Sequence, residues 1–301
     1  MRRLMQFICL CLVAGAAVMA RSDRPAASDE AARAAALKLF RSLTSEQKKL
    51  AMKPVDDKER YVEQFPAVER PGLSFDKLSA EQKALANDIV RAMTSRYGAE
   101  RCLEVATQTP DNRRYINFFG DPTKDARFAW RMAEHHLTLV YAEFGADPES
   151  EFGPILLGGN PVNKLWDEEE NLVMELAKAL TPDEAKAIVG KSNAGSGAAI
   201  GTAGMRIGDL KEKAQSLARK LLDQRLAVFS DNRRQVLDKL IHRDGGVENL
   251  RIALWGDAAK SHRDGGNASW KIGGPSVLCD WQTVGKNHIH MTVRGKAKPA
   301  G

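Results

Sequence analysis

The sequence predicts an α+β fold in which a helical N-terminal part and a helical insertion pack on a mostly antiparallel sheet. Three observations carry this expectation. Capped, amphipathic segments dominate from residue 28 to about Gln108, and segments rich in aromatic and β-branched residues follow. After a second helical stretch the chain closes in short strand-like runs joined by Gly and Pro turns.

The first 20 residues read as a cleaved secretory signal. Arg2 and Arg3 precede an apolar run from Leu4 to Val18, and Val18-Met19-Ala20 suits cleavage after Ala20. About 15 apolar residues fall short of the ~20 a spanning helix needs, and polar Arg21-Ser22-Asp23-Arg24 follows at once. A flexible tether over 21–27 and a single α+β domain over 28–296 are therefore expected, in an exported protein, periplasmic or extracellular, with no stable membrane span after cleavage. The leader takes two arginines and no acids with it, lowering the net charge from +6 to +4. With 6% aromatics and no dense Lys/Arg run, this excludes nucleic acid as the expected partner. Cys9 and Cys11 also leave, and an oxidising compartment permits a Cys102–Cys279 disulfide, with two buried free thiols as the alternative.

Three helix starts share one pattern. Thr44 with Gln47, Ser79 with Gln82, and Thr181 with Glu184 each form a capping box, and Pro182 stands at a first helical position. Between the first two, Pro66, Pro71 and Gly72 predict an ordered loop over 65–73. Tyr115–Phe119 and Arg127–Phe144 read as strands. Helices return at Asp167–Leu180, Pro182–Val189, Asp209–Phe229, with Asp209 and Glu212 as its acidic cap, and Asn232–His242. Strands close the chain at Leu250–Leu254, Ser269–Ile272, Ser276–Trp281 and His288–Val293.

Most motifs fail on context. Gly190-Lys191-Ser192 follows a capped helix instead of a strand, so it reads as a helix C-cap and not a phosphate loop, and the stretch from Lys191 to Gly204 reads as a flexible exposed loop. The repeated His-Arg-Asp-Gly-Gly at 242–246 and 262–266 reads as turn-forming. Asn267-Ala268-Ser269 matches a glycosylation acceptor, and no Gly-x-Ser-x-Gly elbow or His-Glu-x-x-His helix occurs.

Four of the six histidines fall in two strand-like segments, Glu134-His135-His136-Leu137 and His288-Ile289-His290. Strand alternation puts His288, His290 and Thr292 on one face. It groups Glu134 with His136 and sets His135 on the opposite, apolar face. Imidazoles at i and i+2 stand ~6.6 Å apart along a strand, close enough for both to bind one ion. His136 would complete three nitrogens, with Glu134 or water as a fourth group and His135 nearby. Zn, Cu or Fe would suit such a set.

Five short stretches carry a resemblance. These are Arg70-Pro71-Gly72-Leu73, Phe118-Phe119-Gly120-Asp121-Pro122, Trp130-Arg131 leading to His135-His136-Leu137, Gly158-Gly159-Asn160-Pro161, and Asn287-His288-Ile289-His290 with Arg294. Over Ala31 to Arg294 the chain resembles the domain of unknown function 3500 family of exported bacterial proteins. The resemblance implies that both histidine motifs belong to one pattern, and it implies no reaction. The chain departs from that pattern at Glu134, where the family shows glycine, and at Cys279-Asp280-Trp281, where Asp280 becomes a candidate hydrogen-bond partner for a metal-binding histidine. The resulting expectation is a metal-dependent enzyme of unknown reaction and unknown small-molecule or peptide substrate. Its ligands would be His136, His288 and His290, with His135 and Glu134 nearby, and its pocket candidates are Trp130, Arg131, Asn160 and Arg294. The alternative is a non-catalytic binding or scaffold domain with structural histidines.

Overall fold

The computed structural model describes residues 30–62, 70–125, 127–143, 152–153, 155–159, 164–190, 200–285 and 287–295. The predicted leader and tether, residues 65–69 of the proline loop, Asn160 and residues 191–199 lie outside these.

Helices α1 (Glu30–Ser42), α2 (Ser45–Ala51), α3 (Ala80–Met93) and α4 (Arg96–Ala106) build the N-terminal part. After the first strands come α5 (Asp167–Ala179), α6 (Pro182–Ile188), α7 (Glu212–Leu226) and α8 (Asp231–Arg243). All three predicted capping boxes form, at Thr44, Ser79 and Thr181, each satisfying two end groups of its helix. The predicted start of the long helix at Asp209 is corrected to Glu212. Ile207–Asp209 is a separate 3-10 turn, Lys211 is the N-cap, and the Lys211 N–H donates to Glu184 Oε1 at 2.5 Å, which holds this junction extended against α6.

The strands are β1 (Met52–Lys53), β2 (Leu73–Ser74), β3 (Tyr115–Phe119), β4 (Phe128–Ala133), β5 (Leu137–Glu143), β6 (Ile155–Gly159), β7 (Met205–Arg206), β8 (Arg251–Trp255), β9 (Ser269–Gly273), β10 (Val277–Gly285) and β11 (His288–Gly295). They form one 11-stranded sheet in the order β1-β3-β4-β5-β6-β11-β10-β9-β8-β7, with β2 paired to β3. Every pairing is antiparallel except β1 with β3. The α+β expectation is met.

Alternation gives this sheet two unlike faces. Phe118, Trp130, Leu139, Leu157, Met291, Trp281, Trp270 and Ile252 lie in the main core with Leu39, Ile89, Val105, Leu176 and Leu221 of the helices. Trp270 and Trp281 are register partners and stack at 6.3 Å. The other face is polar yet buried, carrying Asn117, Arg131, Thr138, Thr292, Asp280 and Lys271. The central order β5-β6-β11 brings the two histidine segments, far apart in sequence, to neighbouring positions. No helix among the described residues is long and apolar enough to cross a membrane. Cys102 and Cys279 are buried free thiols, and burial pushes each up to about 12.

Candidate metal centre

Within the segment from Arg127 to Phe144, read in sequence as strand-forming, β4 and β5 form a hairpin. Ala133 pairs with Thr138, and the Glu134 N–H donates to the Leu137 carbonyl at 2.8 Å, so His135 and His136 are the two central residues of a tight turn. This removes the expected separation of His135 and His136 onto opposite faces, because strand alternation does not apply within a turn. The turn lacks Gly, Pro and Asn. Glu134 supplies the missing turn chemistry: its Oε2 accepts from the His136 N–H at 3.1 Å and from the Thr109 hydroxyl. Glu134 is wholly buried, and burial pushes its carboxyl up to about 7. It stands behind the turn, outside the set of converging nitrogens.

The second pair enters from β11. The β10–β11 connection includes Gly285 at φ +147° and Asn287 at φ +57°, a left-handed conformation that Asn tolerates. His288 and His290 follow, and His290 pairs with Gly158 of β6 on one side and Gln282 of β10 on the other. Gly158 makes room for the cluster. A Cβ there would stand 3.0 Å from both the His136 and the His290 ring carbons, and 2.6 Å from the Ile289 carbonyl. Gly158 and Gly159 both fall inside β6.

The four imidazoles His135, His136, His288 and His290 each offer a nitrogen within 4.8 Å of all the others. His288 Nε2 lies 3.1 Å from His136 Nε2 and 3.1 Å from His290 Nε2. Two nitrogens bound to one ion at ~2.0–2.1 Å stand about 3–3.4 Å apart, so these separations fit a shared ion. Burial is the main cause that depresses all four histidines, taking His136 to about 3 and His290 to about 2, with mutual repulsion adding to it at His135, His136 and His290. Neutral rings keep the lone pairs that metal binding requires. The Nδ1 atoms of His135 and His136 are buried and bond to no described residue, so packing orients these rings.

The pocket candidates scatter. Trp130 is buried on the helix-covered face, across the sheet from His290. Arg131 is on the polar face but engaged, donating to Val62 O at 2.7 Å and Glu59 Oε1 at 3.3 Å, and burial lowers it to about 10. Arg294 shares the face of His290 four residues further along β11 and is half-buried. Asp280 accepts from the Thr292 N–H at 3.1 Å, bracing β10 against β11.

Sequence reasoning missed two polar groups on this face. Gln282 is the register partner of His290, and its Nε2 is buried without a partner among the described residues, as is the Thr292 hydroxyl two residues after His290. It also missed His262, read only as part of a turn. That turn forms, with Gly265 left-handed, but His262 is buried and bonds Glu170 Oε1 through Nδ1 at 2.5 Å and Thr283 Oγ1 through Nε2 at 2.6 Å.

A family model described as "Protein of unknown function (DUF3500)" matches residues 25–298. The chain belongs to this family. No curated protein and no solved structure matches it. Membership in the DUF3500 family places both histidine segments inside one matched domain and brings no reaction with it.

Proposed function

We propose that this DUF3500 protein is an exported, metal-dependent enzyme whose ion is held by His136, His288 and His290, with His135 as a fourth ligand or as the group nearest the open position. The observation that carries the reading is the convergence of four neutral imidazole nitrogens within 4.8 Å. An all-nitrogen set suits Zn, Cu or Fe. His135 and His288 are half-buried while His136 and His290 are buried, so one side of the cluster is turned toward solvent, where water or a substrate oxygen can reach the ion. A metal in that position acts as a Lewis acid and lowers the pKa of bound water. Gln282 stands beside His290 with an amide donor that no described residue uses, suited to orient such an oxygen.

A second reading follows from the count of four. Four nitrogens complete a tetrahedral zinc, which describes a closed structural site in a non-catalytic domain. Elemental analysis of the mature protein, purified without an affinity tag, tests both. About one equivalent of metal in the wild type and none in a folded His288→Ala/His290→Ala variant is expected; no uptake of any of the three ions sinks the metal reading. Retention of tight binding in His135→Ala supports the open site, and its loss supports the closed one. Export is tested by the N-terminus of secreted material, expected at Arg21.

A further inference from the structure

The Arg70-Pro71-Gly72-Leu73 stretch has no part in the metal centre, yet it borders a cleft of about 230 Å3. Among the described residues, Arg70, Lys77 and Arg113 line this cleft against one carboxylate, Asp76, with Ser74 and Tyr115 completing its polar wall. Arg113 is half-buried and Lys77 exposed, and neither makes an ion pair or side-chain hydrogen bond with a described residue. A partly desolvated guanidinium without a carboxylate among the described residues is matched by an oxyanion that accepts from its fork of donors.

The cleft is built, and its walls are held from the sheet. Gly72 takes a left-handed φ of +143°, and a Cβ there would meet Asn117 Nδ2 at 2.7 Å. Asn117 donates through Nδ2 to the Pro71 carbonyl at 3.3 Å, and Ser74 pairs with Tyr115, so the loop is fixed to β3. Tyr115 in turn pairs with Ala133, the last residue of β4 before the His135-His136 turn. Ala133 pairs with Thr138, and the registers through β6 carry the same face on to Thr292 and hence His290. Cleft and histidine cluster therefore share one end and one face of the sheet, with the cluster spanning from two strand spacings (β5) to four (β11) away from β3, roughly 10–19 Å.

We propose that this cleft binds the oxyanion of a small molecule, a phosphate or a carboxylate, and anchors it as a substrate whose other end reaches the metal. The anchoring role rests on the metalloenzyme reading; the anion binding does not. Calorimetric titration of the full mature chain at low ionic strength tests it, with inorganic phosphate and malonate as probes. One equivalent of phosphate or malonate bound by the wild type is expected, and whichever anion binds tighter identifies the source. Binding should weaken about tenfold or more in Lys77→Ala/Arg113→Ala. Arg113→Lys, which keeps the charge and loses the fork, should fall between. The His288→Ala/His290→Ala variant should bind the anion as the wild type does. No binding of either anion by the wild type, or equal binding in the wild type and the cleft variants, overturns the proposal. Metal content measured on the same preparations separates this outcome from a failure of the metal reading.

Discussion

Two places in this molecule bury histidine, and they do so in opposite ways. At His262 both ring nitrogens have their own partners, Glu170 on one side and Thr283 on the other, and the Thr283 hydroxyl passes its hydrogen to the Ala268 carbonyl at 2.7 Å. At the β5–β6–β11 junction the nitrogens of four rings face one another, with no carboxylate among the converging groups. A buried imidazole with two partners is a strut joining α5 to the sheet. Imidazoles that meet nitrogen to nitrogen, held neutral by burial, form a set of lone pairs directed at a common point. The difference separates a structural histidine from histidines that could hold a metal ion, by geometry alone.

The largest expected effect sharpens that contrast. Replacing His288 and His290 by Ala should weaken metal affinity by more than about 100-fold, while His262→Ala leaves metal content unchanged. Loss of metal from His262→Ala would break the comparison. Stability should respond in the reverse sense. His262→Ala strands a buried Glu170 carboxylate and should cost on the order of 3 kcal/mol in denaturant unfolding of the metal-free protein. Burial alone would raise Glu170, but the side-chain and backbone donors of His262 hold it below its usual value.

Gly158→Ala tests the cluster without touching a ligand. Its Cβ would press on both the His136 and His290 rings, so metal affinity should drop about 10-fold to 100-fold, the range seen for disturbed ligand orientation. Because the same Cβ also meets the Ile289 carbonyl at 2.6 Å, β6 and β11 must separate slightly, and a loss of roughly 1–3 kcal/mol in stability should accompany it. Unchanged metal affinity would mean that the rings are free to move and the convergence is incidental.

These contrasts also show what was legible in the sequence. The capping boxes at Thr44, Ser79 and Thr181 are local grammar, four residues long, and needed no tertiary information. His288 and His290 were legible for the same reason, since β11 is a regular strand and alternation fixes their face. His135 was misplaced because the turn that joins β4 to β5 is made by a carboxylate reaching back to its own backbone, with help from Thr109, which is 25 residues away. The turn has none of the Gly, Pro or Asn residues that usually mark one, so strand alternation was carried straight through it. Gly158 and His262 depend on partners in other elements, His136 and His290 for one and Glu170 for the other, and pairings of that range leave no periodic trace.

The smallest expected effect concerns Glu170's neighbour. Glu169 is wholly buried, neither oxygen has a hydrogen-bond partner among the described residues, and burial pushes its carboxyl up to about 7 against the opposing pull of Arg225 and Arg101. The folded state therefore prefers the protonated form. With a folded value above the unfolded one, the stability this group contributes is complete below the unfolded value near 4.5 and is lost as pH rises through about 7. Glu169→Gln mimics the neutral carboxyl. It should stabilise the protein by about 1–3 kcal/mol at pH 8 and by little at pH 5, read from urea unfolding at the two values. Glu170→Gln, which weakens the acceptor that His262 uses, should destabilise at pH 8. If the two adjacent substitutions shift stability in the same direction at that pH, the distinction between a partnered and an unpartnered buried charge does not hold here.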